Sequence, residues 1–357
     1  MPSIAPFSYS VRGQVGSIPS LGLGTATLFG DVCTAAVLSA IRMGYRHIDT
    51  ALLYNNQAAV GAAIKEAIAS GIVTRQDLFV TTKVAFYPSN ATGTGHFTPI
   101  CFNSNNVKGR EGAGIAECLS LLGVDYVDLL LIHNPLTALD EYAASAAPHA
   151  FELSKSILTQ DERALILARR LAAVRYDGKA AKAARRASWA ALEAAHAAGQ
   201  AKAIGVSNYP FQLIKEMDDY ARIMPAVNQL ELHPRFSSPG LRAYAREVGM
   251  LLTAYGSGNS VVIEKNPVVA KIAERRGVSP FAVVQLWTLA HGVVLIPRSA
   301  SPAHQAANLE VACANTPQLD AADIVALDAL DEAHPYYWWP QPCLPPGASP
   351  DGGSARA

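Results

Sequence analysis

The sequence predicts a (β/α)8 barrel, on three observations. Eight short β-rich runs recur along the chain with helical stretches between them, and that alternation argues for parallel strands joined by crossover helices. Four ionisable residues, Asp49, Tyr54, Lys83 and His133, are scattered over the first 135 positions, each at or just past the end of such a run. A site assembled from the C-terminal ends of different strands is characteristic of this barrel. The length of 357 residues is one that a barrel fills as a single domain, 1–357.

The eight runs are 20–26 (SLGLGTA), 45–50 (YRHIDT), 78–84 (LFVTTKV), 126–133 (YVDLLLIH), 202–207 (KAIGVS), 226–232 (AVNQLEL), 250–255 (MLLTAY) and 293–298 (VVLIPR). Between the second and third, VGAAIKEAIASGIVTRQD reads as an amphipathic helix ended near Gly71. In SPAHQAANLEV, Ser301 is placed to cap a helix with Pro302 in its first position.

Two intervals break the rhythm. Residues 86–112, after the Lys83 strand, are rich in Asn, Gly, Ser and Thr, and residues 136–187, after the His133 strand, contain the Ala- and Arg-rich stretch ALILARRLAAVRYDGKAAKAARRAS. Its residues are good helix formers, which predicts a helical insertion. Both intervals follow strand C-termini and are expected on the active-site face, as a partial lid or as ornaments packed on the outer helices. The tail, 334–357, carries Trp338 and Trp339 and either closes over the barrel mouth or packs on the outer helices.

Half the residues are hydrophobic and 16% are charged, a composition that builds a large core and excludes a disordered chain. The 29 basic and 29 acidic side chains cancel, and no basic stripe interleaved with aromatics appears, which argues against nucleic acid as a partner. The five cysteines (Cys33, Cys101, Cys118, Cys313, Cys343) are dispersed, with no CxxC pair and no zinc-like His spacing. They read as reduced thiols, and no metal is expected. The first residues lack a signal-peptide pattern and no apolar run reaches membrane-spanning length, so a cytoplasmic protein is expected. No motif speaks to oligomeric state.

An Asp, Tyr, Lys and His converging at one end of a barrel make a proton-donating device. The runs GLGTA, RHIDTALLY, LFVTTKV, DLLLIHNP, IGVSNY, VNQLELHP, AYGSGN and VLIPRSASP, in that order, resemble the aldo-keto reductase family over roughly residues 15–315. So many ordered motifs are far more specific than one short pattern.

That resemblance implies reduction of a small-molecule aldehyde or ketone by hydride transfer from NADPH. Tyr54 would be the proton donor, Lys83 its electrostatic partner, Asp49 the counter-ion of Lys83, and His133 the group orienting the carbonyl oxygen. Proton donation suits a tyrosine, which is protonated at neutral pH and whose ionised form an ammonium favours. The resemblance maps nicotinamide binding to Ser207, Asn208 and Gln229, ring stacking to Tyr255 and a pyrophosphate contact to Ser257. It maps the adenosine phosphate and adenine to Arg298, Ser299, His304 and Asn308.

Where relatives carry Arg, this chain has His304, mostly neutral at pH 7. NADPH is expected first, with NADH use also open. Relatives often carry Trp where this chain has Ala26 and Asn134, which implies a roomier or more polar substrate pocket bounded by Asn134, Phe86, Tyr87 and Phe29. The alternative, on the same barrel, is a cofactor-binding regulatory or scaffold protein with little turnover.

Overall fold

In the computed structural model, which describes residues 8–10, 16–86, 103–137, 178–257, 266–313, 316 and 318–331, all eight runs contain strands in the expected order. A short antiparallel hairpin, β1 (Ser8–Ser10) and β2 (Ser17–Pro19), precedes them. Then come β3 (Leu23–Gly24), β4 (His47–Asp49), β5 (Phe79–Val84), β6 (Val127–Ile132), β7 (Ala201–Ser207), β8 (Val227–Glu231), β9 (Leu251–Tyr255) and β10 (Val294–Leu295). Each pairs in parallel with the next.

The sheet closes on itself through parallel bridges of Leu21 with Leu295 and of Gly24 with Arg298. Gly22 N donates to Leu295 O at 2.7 Å and Leu295 N to Ser20 O at 2.8 Å, so the seam is hydrogen-bonded like the rest of the barrel and leaves no edge. Gly24 lies on this seam. A Cβ there would sit 2.7 Å from Ile296 O, so the two backbones meet only because the side chain is a hydrogen.

The helices are α1 (Gly30–Met43), α2 (Gln57–Ala69), α3 (Glu111–Leu122), α4 (Lys179–Ala197), α5 (Phe211–Met217), α6 (Pro239–Val248), α7 (Pro267–Arg276), α8 (Pro280–Ala290), α9 (Pro302–Val311) and α10 (Ala321–Asp328). Gly71, two residues past the end of α2, has φ +68°, the left-handed turn expected of it. The Ser301 side chain accepts from His304 N with Pro302 opening α9, as the sequence predicts. Residues 179–187 of the second long interval open α4, and Ser104–Asn106 of the first form a 3-10 turn before α3. The other parts of those intervals, 87–102 and 138–177, lie outside the described residues, as do Tyr87 and the tail with Trp338 and Trp339.

Strand alternation separates two apolar layers. On β5 and β6, Val80, Val84, Leu130 and Ile132 join the shell between strands and helices, with Ile41, Ile64, Trp189 and Trp287. Phe79, Leu129 and Leu131 point the other way and pack with Ile18, Ala203, Val227 and Val294 inside the barrel, next to the hairpin. Burying each such aliphatic side chain is worth about 1.5–3 kcal/mol.

The same inward positions turn polar towards the strand C-termini. Phe79 gives way to Thr81 and Lys83, and Val227 to Gln229. His47 inside the barrel shares a 2.9 Å hydrogen bond with Thr81 Oγ1, and burial pushes its pKa down to about 3, so it is neutral. Asp49 and Lys83 thus lie towards the strand C-termini, while Phe79, Leu129 and Val227 fill the other end of the interior beside the neutral His47. Among the described residues no helix is long and apolar enough to cross a membrane.

Candidate active site

Asp49 is the last residue of β4, Lys83 the fifth of six in β5, His133 follows β6, and Tyr54 ends a 3-10 turn, Leu52–Tyr54, beyond β4. The structure brings all four together. Lys83 Nζ is fully buried and donates to Asp49 Oδ1 at 2.6 Å, to Thr50 O at 3.0 Å and to Tyr54 OH at 3.1 Å. An ammonium has three donors, and all three are used. The second oxygen of Asp49, Oδ2, accepts from Gln229 Nε2 at 2.7 Å.

The electrostatics follow from this arrangement. Burial pulls the Lys83 pKa down, but Asp49 and Tyr54 more than offset it, and Lys83 stays above its ordinary range as a cation. Burial pushes the Asp49 carboxyl up, against the opposing pull of Lys83. Burial likewise pushes Tyr54 up and Lys83 works against that, so the phenol is protonated at neutral pH with a cation on its oxygen. His133 falls well below its usual value because of burial and the charges of Lys83 and Lys108. Its ring stands edge-on to Tyr54, 5.7 Å between centroids, and edge-on to Phe86, 5.0 Å.

A second network knits the ends of the neighbouring strands. Asn208, at φ +63° just beyond β7, donates to His133 O at 3.0 Å and to Ser207 Oγ at 3.1 Å. Its Oδ1 accepts from Tyr255 OH at 2.7 Å, and Ser207 Oγ donates to Gln229 O at 2.8 Å. The Tyr255 ring is half-buried at the end of β9. Ser257 Oγ is fully buried and has no partner among the described residues. An orphaned hydroxyl there is a ready donor for an anionic ligand.

Further round the barrel mouth, Arg298 is exposed and its guanidinium donates to Thr27 Oγ1. Ser299 is folded onto Ser301, its Oγ 3.2 Å from Ser301 O, and His304 is exposed at the start of α9. Asn308 Oδ1 accepts from Gln285 Nε2 at 2.7 Å. These four therefore lie along one loop and helix rather than in the Lys83 cluster. Asn134 sits beside His133, but its amide donates to Phe86 O at 2.7 Å and its oxygen accepts from Leu136 N at 3.0 Å, so its side chain builds the loop. Phe29 is 56% exposed.

Sequence reasoning missed Asn106 and Lys108. Both are buried on the segment between β5 and α3, where Phe86 N donates to Asn106 Oδ1 at 3.1 Å. An Asn and a Lys in an Asn-rich stretch carry no sequence signal of burial.

A sequence model of the Aldo/keto reductase family matches residues 20–332, a span that contains every one of these strand ends. The chain belongs to the aldo/keto reductase family. Membership makes it an oxidoreductase and agrees with the barrel described above. Among its family relatives, D-galacturonate reductase of Hypocrea jecorina is 33% identical over 298 residues, 82% of each chain. The NAD(P)H-dependent D-xylose reductase of Scheffersomyces stipitis is 31% identical over 87% of this chain and 91% of its own. Among solved structures, an aldo-keto reductase of Bombyx mori in complex with NADP superposes with a TM-score of 0.70 at 25% identity, covering 93% of this chain and 95% of the other.

Proposed function

We propose that this family member reduces an aldehyde or ketone to the alcohol with NADPH, and that Tyr54 donates the proton. The observation that carries the reading is the buried Lys83 ammonium bound at once to Asp49 Oδ1 and Tyr54 OH. Asp49 holds the ammonium in place and offsets the cost of burying it. Lys83 in turn favours the phenolate left when Tyr54 gives up its proton. A phenol kept protonated by burial yet poised beside a cation is suited to general-acid work, typically worth 10²–10⁴-fold in rate. Neutral His133, next to Tyr54, donates a hydrogen bond to the carbonyl oxygen and sets its direction.

The cofactor would lie along the mouth of the barrel, where the residues present fit a nicotinamide dinucleotide. The orphaned Ser257 hydroxyl offers a donor and the half-buried Tyr255 ring a flat face, and the carboxamides of Asn208 and Gln229, held in the network beside them, keep lone pairs that can accept. When bound, such a cofactor supplies the hydride. Arg298 is an exposed cation available to a 2′-phosphate, and the NAD(P)H dependence in the name of the Scheffersomyces stipitis relative is in keeping with that. The names of the relatives also favour a sugar or sugar acid in its open-chain carbonyl form.

The test is loss of reduced-nicotinamide absorbance with NADPH, then NADH, against short sugars, sugar acids, aromatic aldehydes, dicarbonyls and ketones. Tyr54→Phe should lower turnover by a factor on the order of 100 or more while leaving NADPH binding intact. Full activity in that variant would sink the assignment of Tyr54. Tight NADPH binding with no turnover on any carbonyl would favour a regulatory or scaffold role.

A further inference from the structure

We propose that Lys108 is a positioning residue for this reaction: its buried ammonium clamps the backbone that follows Lys83 to the backbone that follows His133, and so fixes the His133 imidazole. Lys108 is 3% exposed, on the loop between the Ser104–Asn106 turn and α3. Its Nζ donates to Ala85 O at 2.7 Å and to Asn134 O at 2.7 Å. Ala85 lies two residues past Lys83 and Asn134 one past His133, so a single side chain ties together the exits of the two strands that bear those groups.

The local geometry is shaped around the clamp. Ala85 adopts φ +57°, a left-handed conformation that alanine rarely takes. The clamp is reinforced by Asn134 Nδ2 donating to Phe86 O at 2.7 Å and by Phe86 N donating to Asn106 Oδ1. The Phe86 ring, placed by these bonds, forms one wall of His133, and Tyr54 forms another. On its remaining side the His133 carbonyl is held by Asn208.

Burying an ammonium is costly, and a loop-stapling role alone could be met by a neutral donor. A cation at this position has a second consequence. In the proposed role His133 must be neutral and offer one N–H to a carbonyl oxygen, and because Nδ1 is buried with no partner among the described residues, Nε2 is the nitrogen assigned to that role. Among the described residues, Lys83 on β5 and Lys108 before α3 act on the imidazole by charge, and the titratable Tyr54 ring, from the turn after β4, stands edge-on to it. Two of these are cations that oppose protonation of the ring, and Lys108 is the one the proton-transfer chemistry does not itself need.

The inference rests on the reading of His133 as the carbonyl-orienting group, and the experiment separates the two. In the full chain, Lys108→Met and Lys108→Gln are compared with wild type by steady-state kinetics and by NMR titration of the His133 imidazole, with Tyr54→Phe in parallel. Lys108→Met should lose kcat by on the order of 10- to 100-fold with the NADPH KM unchanged, as expected for a misplaced orienting group. Its His133 should titrate at higher pH than in wild type. Lys108→Gln keeps an N–H donor for the carbonyls but no charge, so it should retain most of kcat and still show the raised titration.

Wild-type kcat together with an unmoved His133 titration in Lys108→Met overturns the proposal. If that variant does not fold, an unmoved titration in Lys108→Gln does the same. Undiminished turnover in Tyr54→Phe would overturn the acid assignment instead, and the imidazole titration would still report on Lys108.

Discussion

Gln229 Nε2 donates to Asp49 Oδ2 at 2.7 Å from a position 180 residues away in sequence. The strands that bear them, β4 and β8, lie four apart in an eight-stranded barrel and so face each other across its interior. One carboxylate is thereby shared between Lys83 on one oxygen and Gln229 on the other. The bond joins the Asp49, Lys83 and Tyr54 cluster to the network of Ser207, Asn208 and Tyr255.

Replacing Gln229 by Leu keeps the volume and removes the donor, leaving a buried carboxylate oxygen unpaired at a cost of about 1–3 kcal/mol. The pH dependence has a definite sign. Burial already holds the Asp49 carboxyl above its ordinary range, and loss of Gln229 raises it further. A group whose folded pKa is raised keeps its stability at low pH and loses it as pH rises through the raised value. The gap between wild type and Gln229→Leu should therefore widen from acid towards neutral pH in urea unfolding, and a gap that is flat with pH would contradict this account.

Lys83→Met leaves Asp49 as a buried charge without its cation. Removing one partner of such a pair costs about 3–5 kcal/mol, more than losing the pair as a whole. Replacing both residues, Asp49→Asn with Lys83→Met, should restore much of the lost melting temperature without restoring turnover. A double variant no more stable than Lys83→Met would show that the pair is not the source of the loss.

Arg298 is exposed and its contact with Thr27 crosses only the rim, so Arg298→Ala should leave the melting temperature unchanged. If it meets a phosphate, the NADPH KM should rise about tenfold or more, the loss of one charge-assisted hydrogen bond, and the NADH KM should barely move. Equal effects on both would remove Arg298 from the phosphate site.

Gly24→Ala places a Cβ 2.7 Å from Ile296 O on the seam where the barrel closes. The clash is with backbone, which cannot swing aside, and overpacking of this kind costs about 1–3 kcal/mol. Gly112→Ala, near the start of α3, meets nothing within 4 Å and should instead stabilise by about 0.5–1 kcal/mol. Thermal unfolding of the two variants in opposite directions is the expected result.

Much of this arrangement was legible in the sequence. The eight β-rich runs, their order, and the placing of Asp49, Lys83 and His133 at strand ends are local properties, carried by composition and by alternation with period two. The caps at Gly71 and Ser301 are local for the same reason, since each depends on one residue's backbone or side chain within a turn. The resemblance of the ordered motifs to a family was also a property of the linear chain, and the family match bears it out.

What the linear chain could not express is which face of each strand turns inward and what it meets there. Phe79, Thr81 and Lys83 share a face by alternation, yet only closure of the sheet between β3 and β10 makes that face an interior and puts Gln229 opposite Asp49. Lys108 shows the limit most clearly. In sequence it is a lysine in a polar loop, the pattern of a solvated charge, yet it is buried and donates to two carbonyls just beyond β5 and β6, strands that are neighbours only once the barrel has formed. Sequence by itself determined the elements and the family, and it named Asp49, Tyr54, Lys83 and His133 as candidates. The tertiary structure decided their partners, because hydrogen-bond distance and desolvation are relations between residues far apart in the chain.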